Sequence, residues 1–254
     1  MIYDAKFFDE VFERRGHDAT KWDSPLFVKD NKDIVPMWVA DMDFLPVPEI
    51  RDAVINYAET HIFGYPYPSE ELYQSIINWE KNQHGYVVDK ESIVLIEGVV
   101  PAISTAIQAF TKEGDAVLIN TPVYPPFARS VRLNNRRLIE NSLVKVNGHF
   151  EIDFEQLERD IVENDVKLYV FCSPHNPGGR VWTKEELTKV ADLCQKHGVL
   201  LVSDEIHQDL ALYGNKHISM NTISDAYKDF TLVLSSATKT FNIAGTKNSF
   251  TIIE

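Results

Sequence analysis

The stretch Thr231-Leu232-Val233-Leu234-Ser235-Ser236-Ala237-Thr238-Lys239-Thr240-Phe241-Asn242-Ile243-Ala244-Gly245 decides how the rest of the chain is read. Its opening apolar run has the length and content of a buried strand. Small uncharged residues follow and deliver one lysine, Lys239, into a turn just past the strand end. Lysines are mostly exposed, so this one alone reads as a surface residue. Held in an apolar pocket, its amine would instead be a nucleophile fit for Schiff-base chemistry. What stands at the other strand ends separates the two readings.

Working outward, strands and helices alternate. Strands are predicted at Ile93–Ile96, Ala116–Ile119, Arg137–Glu140, Leu168–Cys172 and Val199–Ser203. Helices fall between them at Pro101–Thr111, Pro126–Leu133 and Asp153–Glu163, with one opened by the capping box Thr183/Glu186 and closed at Gly198. A further helix is expected near Ile223–Tyr227. Such alternation predicts an α/β fold, a mostly parallel sheet with helices on both faces. The segment to about Phe44, with Trp22, Phe27 and Trp38, reads as an arm that packs on something else. Pro46 and Pro48 then introduce a helix at Glu49–Thr60, with Ile50, Val54 and Tyr57 on one face. Gly64-Tyr65-Pro66-Tyr67-Pro68 is a stiff loop, and Ser69 caps a helix ending at Gly85. Ser249–Glu254 reads as a strand in progress, so the natural protein is expected to continue beyond Glu254.

The 254 residues are 44% hydrophobic and 25% charged, ordinary for a globular protein. A net charge of −13 disfavours nucleic acid as a partner. The densest basic group, Arg129, Arg132, Arg136 and Arg137, reads as a solvated face. Two cysteines, Cys172 and Cys194, give no disulfide framework and point to a reducing cytoplasm. The charged N-terminus has no signal-peptide core, no apolar run reaches membrane-spanning length, and no metal is expected.

In open α/β sheets ligands bind beyond the carboxyl ends of the strands. After Ile93–Ile96 come Glu97-Gly98-Val99-Val100-Pro101, whose amides could hold an anion at a helix start. No dinucleotide or nucleoside-triphosphate fingerprint accompanies them. After Ala116–Ile119 comes Tyr124 among Pro122, Pro125 and Pro126, able to stack on a planar ring or to fill core. After Leu168–Cys172 comes Ser173-Pro174-His175-Asn176-Pro177-Gly178-Gly179-Arg180, with Asn176 as an amide donor and X-Pro bonds open to the cis form. After Val199–Ser203 come Asp204-Glu205-Ile206-His207. An acid at the end of an apolar strand is costly to bury without a cation, although Asp also serves as a helix cap. A Schiff-base lysine, a carboxylate, an amide, a tyrosine and an anion-binding helix start are together what pyridoxal phosphate needs.

With those residues in view, the sequence resembles the class I/II aminotransferase family of pyridoxal-phosphate enzymes. The segments that carry it are Ser236-Ala237-Thr238-Lys239-Thr240-Phe241-Asn242, Ser203-Asp204-Glu205-Ile206-His207 and Ser173–Arg180. It looks most like the cystathionine β-lyase (C–S lyase) subgroup, through Ala40-Asp41-Met42-Asp43-Phe44, Gly98-Val99-Val100-Pro101 and His207. The resemblance implies Lys239, Tyr124 and Asp204 as catalytic residues. Lys239 would be the cofactor lysine and proton shuttle, and Asp204 the ring-nitrogen partner. Asn176 and His207 would lie near the ring hydroxyl, and Tyr124 would stack on the ring. Val99, Val100 and Ser236 would hold the phosphate. Lys247 stands where many relatives carry a phosphate-binding Arg, and Tyr65 would reach the neighbouring subunit of a homodimer. Residues 1–48 would be the arm and the start of a small domain, and 49–254 the cofactor-binding large domain, without a C-terminal small domain or its substrate-carboxylate Arg. The implied reaction is α,β-elimination on a sulfur amino acid such as L-cystathionine or L-cysteine. Transamination is the alternative within the fold, and a non-catalytic binding or regulatory protein is the alternative of another class.

Overall fold

The computed structural model describes residues 3–10, 12–25 and 34–254. Phe27, counted with the predicted arm, lies outside them. The chain divides into Met1–Tyr67 with Phe241–Thr246, and Pro68–Thr240 with Lys247–Glu254.

The first unit carries α1 (Ala5–Phe8), α2 (Thr20–Asp23) and α3 (Pro48–Thr60). Pro48 sits in the first turn of α3, where a missing N–H costs nothing. The centre of this unit is ionic. The Arg14 guanidinium donates to Asp41 Oδ1 and Oδ2 at 3.1 and 2.8 Å and to Asp43 Oδ1 at 2.6 Å. Lys21 Nζ and Trp22 Nε1 donate to Asp43 at 2.6 and 2.8 Å. Burial alone would raise the Asp43 carboxyl, but Lys21, Trp22 and Arg14 bring it down to about 2. Asn242 closes the knot on the main chain: its Oδ1 accepts from Met42 N at 2.9 Å, and its Nδ2 donates to Met42 O at 3.0 Å. The Ala40–Phe44 motif thus binds its own unit together through both carboxylates and backbone.

In the second unit, α4 (Glu70–Trp79) runs into a wider π-type turn at Glu80–His84 and stops at Gly85, whose φ of 68° is left-handed. Next come β1 (Ile93–Ile96), α5 (Val99–Phe110), β2 (Ala116–Thr121), α6 (Pro126–Leu133) and β3 (Arg137–Ser142). A hairpin of β4 (Val144–Val146) and β5 (His149–Glu151) leads to α7 (Phe154–Asn164), β6 (Val166–Cys172) and α8 (Lys184–His197). The chain continues through β7 (Leu200–Asp204), β8 (Thr231–Ser235), the one-turn α9 (Ala237–Thr240) and β9 (Ser249–Ile253). Among the described residues seven strands form one sheet in the order β1-β9-β8-β7-β6-β2-β3.

The central strands are apolar on both faces because both are covered. On one face Val117, Ile119, Leu168, Val170, Val202, Leu232 and Leu234 pack under α5 and α6, against Ile103, Ile107, Phe127 and Val131. On the other, Leu118, Tyr169, Phe171 and Leu201 pack under α7 and α8, against Leu157, Ile161, Leu187 and Val190. The α8 capping box is formed from both sides: Thr183 Oγ1 accepts from Glu186 N at 3.2 Å, and Glu186 Oε2 accepts from Thr183 N at 2.8 Å. Thr183→Ala is expected to lower stability by about 1 kcal/mol, read as a shifted urea midpoint at constant slope.

Three local expectations change. The region near Ile223–Tyr227 forms two 3-10 turns, Met220–Thr222 and Asp225–Phe230, because Ser224 between them is extended at φ −155° and caps the second. The β4–β5 hairpin was missed, although Asn147-Gly148, with φ of 49° and 87°, is the dipeptide its tight turn calls for. Of the arginine cluster, Arg136 is a tie: it donates to Thr111 Oγ1 at 2.9 Å and Thr111 O at 2.6 Å, at the end of α5.

Direction places the chemistry. β2, β6, β7 and β8 are mutually parallel, while β9 runs antiparallel to both β8 and β1. The carboxyl ends of β1, β2, β6, β7 and β8 therefore share one edge with the amino end of β9.

Candidate active site

Followed across that edge, the sheet order sets out the predicted residues in turn. Val99 and Val100 open α5 after β1, Lys247 precedes β9, and Ser236 and Lys239 follow β8. Asp204 closes β7 with His207 behind it, Asn176 follows β6 and Tyr124 follows β2. Residues up to 148 positions apart in sequence come to one rim this way. Tyr65, in the first unit, is fully exposed.

Each position has a local cause. Gly98, at φ 133°, makes the turn from β1 into α5, a backbone conformation that side chains disfavour. α5 begins with no side-chain cap, so its first N–H groups are not taken up by a capping side chain. Tyr124 and Asn176 are brought together by a main-chain bond, Tyr124 N to Asn176 O at 3.0 Å. The bonds Thr121-Pro122, Ser173-Pro174 and Asn176-Pro177 in these two loops are cis. Tyr124 is 41% exposed and is no core tyrosine. The Ser236 hydroxyl is buried and donates to Asn248 O at 2.5 Å, so reaching a phosphate requires it to turn. Lys247 is exposed, with a left-handed φ of 48°.

Asp204 is only 4% exposed, and its Oδ1 accepts from Ile206 N at 3.1 Å. Burial pushes its carboxyl up to about 7; the Ile206 bond opposes this, Glu205 adds to it, and the Lys239 charge opposes it again. The neighbouring His207 imidazole is lowered to about 4, by burial first and then by the same lysine. Lys239, half-buried on α9, therefore acts electrostatically on both groups of the β7 loop. A carboxyl held this high by burial keeps its proton to near neutral pH unless a cation joins it.

Beneath the rim lies a polar layer that sequence reasoning missed. Glu205, fully buried, accepts from Ser203 Oγ at 2.8 Å and Met220 N at 3.0 Å, and pairs with His217 Nε2 at 2.8 Å. Asp209 pairs with His84 Nε2 at 2.8 Å. Glu80, 1% exposed, accepts from Gln208 Nε2 at 2.7 Å on one oxygen, and its other oxygen has no hydrogen-bond partner among the described residues. Asp-Glu-Ile-His-Gln-Asp in β7 and its loop hinted at this layer; His84 and Glu80, more than 100 residues upstream, gave no sign.

Burial raises the Glu80 carboxyl from its ordinary 4.5 to about 7. The folded chain keeps a proton that the unfolded chain releases, so this group supports folding below about pH 4.5 and opposes it increasingly up to about pH 7. Glu80→Gln is expected to raise stability by about 2 kcal/mol near pH 8 and by little near pH 4, checked by thermal melts at both.

Among the described residues no helix is long and apolar enough to cross a membrane, and no group of three His, Cys, Asp or Glu could hold a metal ion.

The family model for aminotransferase class I and II matches residues 32–253. The chain belongs to that family. Within it, the chain is 44% identical to a protein named cystathionine beta-lyase PatB from Bacillus subtilis (strain 168), over 97% of this chain and 64% of that one. Among solved structures it is similar to cystalysin from Treponema denticola, which contains a pyridoxal 5'-phosphate cofactor (TM-score 0.93, 38% identity, 100% of this chain and 64% of that one). It is also similar to a PLP-bound C-S lyase from Staphylococcus hominis in the external aldimine form with L-cycloserine (TM-score 0.92, 31% identity, 100% and 65%). The chain thus spans somewhat less than two thirds of these relatives. Family membership agrees with the α/β sheet covered on both faces that the alternating elements predicted.

Proposed function

We propose that this chain is the cofactor-binding part of a pyridoxal-phosphate-dependent carbon–sulfur β-lyase. Its substrates would be sulfur amino acids of the L-cystathionine and L-cysteine type, converted to pyruvate, ammonia and a thiol. The observation that carries the reading is Asp204: a buried carboxyl, raised to about 7, that a protonated pyridine nitrogen would complete. The donor set fits the rest of the group. The α5 N-terminus with Val99 and Val100 suits a phosphate, Asn176 and His207 suit the ring hydroxyl, and Tyr124 offers a face for stacking. Ser236 and Lys247 would join the phosphate contacts.

When bound, pyridoxal phosphate supplies an electron sink for the substrate's Cα. The protein's part is then to hold and move protons. Asp204 would hold the proton on the cofactor's ring nitrogen. Lys239 Nζ, as the neutral amine, would accept the proton from the substrate's Cα; the electron pair left on Cα then forms the Cα=Cβ bond as the Cβ–S bond breaks and the thiolate leaves. Tyr124, partly exposed at the rim, would offer its ring face for stacking on the cofactor.

Residues 49–254 would form the cofactor-binding large domain, and 1–48 an arm and the start of a small domain. A cytoplasmic homodimer is part of the proposal, with Tyr65 reaching the partner's phosphate. The exposed apolar run Ile62, Phe63, Tyr65 and Tyr67, 77–108% exposed, supports such a contact. The test is borohydride reduction of the protein loaded with pyridoxal phosphate, followed by peptide mass mapping and product assay with L-cystathionine. A label on Lys239 with pyruvate release is expected. Label elsewhere would overturn the site, and a keto acid formed only with an amino acceptor would make the protein a transaminase.

A further inference from the structure

Asp209 belongs to none of the predicted sites, yet three elements converge on it. Trp79 Nε1, at the end of α4, donates to both of its oxygens at 3.2 Å. His84 Nε2, in the π-type turn, lies 2.8 Å from Oδ1. Thr240 Oγ1, at the end of α9, donates to Oδ2 at 2.5 Å. The pair is well enclosed, with side-chain exposures of 6% for His84 and 13% for Asp209. Asp209 stands two residues after His207 in the loop that follows β7, and Thr240 stands one residue after Lys239 in the helix that follows β8. One carboxylate therefore joins the two loops that carry the lysine and its two electrostatic neighbours.

We propose that Asp209 is a positioning residue: braced by His84 and Trp79, it holds Thr240 and so fixes the orientation of the Lys239 side chain toward Asp204 and His207. A one-turn helix has too few internal hydrogen bonds to hold its own direction. An ionised acceptor supplies that hold better than a neutral one, because hydrogen bonds to charged groups are the stronger kind. The acid stays ionised because its partners outweigh its burial, and the imidazole is raised in return by Asp209, Glu80 and Glu205. The groups facing the pair are Glu80 on its own turn, Glu205 in the β7 loop, and His217, whose ring lies 5.8 Å from that of His84 and is paired to Glu205.

The inference rests on Lys239 being the reactive amine of the proposed function, and the test keeps the two separate. In unloaded protein, the rate of Lys239 modification by an amine-reactive reagent is followed against pH by peptide mapping, for wild type, Thr240→Val, Thr240→Ser and Asp209→Asn. In parallel, the apparent affinity for pyridoxal phosphate and the melting temperature are measured. Thr240→Val and Asp209→Asn are each expected to shift the midpoint of the Lys239 profile and to weaken loading by about tenfold, the size of one lost charged hydrogen bond. Thr240→Ser, which keeps the hydroxyl, should behave as wild type. An unchanged Lys239 profile in Thr240→Val and Asp209→Asn, whatever happens to melting, would overturn the proposal, as would a serine variant as impaired as valine. If wild type itself carries no borohydride label on Lys239, the functional reading fails, while the unloaded profiles still judge the positioning role.

Discussion

Asp204→Asn is expected to move stability and function in opposite directions. The folded carboxyl titrates at about 7 against an ordinary 3.8. Between those values the folded chain holds a proton that the unfolded chain has lost, so folding is increasingly opposed as pH rises through the window. Above about pH 7 the full penalty applies; below about pH 3.8 both states are protonated and it vanishes. Removing the charge should therefore stabilise the unloaded chain by up to about 4 kcal/mol near pH 8 and by almost nothing near pH 3.5, read from urea melts at the two values. The loaded protein should show the reverse. Without a carboxylate against the ring nitrogen, substrate turnover is expected to fall roughly 100- to 1,000-fold, the scale for one misplaced electrostatic partner. A variant that melts like wild type near pH 8 would mean that Asp204 is already neutralised by the protein. Its place as a cation site would then be lost.

The cost of burying that charge is what makes Asp204 stand out in the sequence. Asp204 follows Leu200-Leu201-Val202-Ser203, and only a structural or chemical reason places an acid at the end of such a run. Lys239 and Asn176 likewise follow long apolar strands, and a rule about strand ends is enough to collect them. The direction of β9 was not legible, because an apolar strand reads the same in either sense; only its pairing with β1 and β8 reveals it. The layer beneath the rim was hidden for a related reason. Glu80, His84 and Asp209 each look like an ordinary surface residue of a helix or turn, and their meeting depends on contacts 125 or more residues apart in sequence. The π-type turn at Glu80–His84 contributes as well, since it carries both residues where a sequence pattern of helical period would have put them elsewhere.

The largest effect is expected at Lys239 itself. Lys239→Ala should abolish the borohydride-stable attachment and lower pyruvate release by on the order of 10,000-fold or more, since nucleophile and proton shuttle are lost together. The same change removes the cation that the β7 loop feels. His207, held at about 4 partly by that charge, should titrate higher, and Asp204 should climb further, both readable by NMR in the unloaded variant. Lys239→Arg separates the two roles. Arginine keeps a positive charge near Asp204 and His207 but does not give up its proton, so it should leave the His207 titration near its wild-type value while turnover stays lost. If Lys239→Ala instead released pyruvate within about tenfold of wild type, another amine would have to be the base. The electrostatic coupling of Lys239 to Asp204 and His207 would then be an accident of packing at the rim.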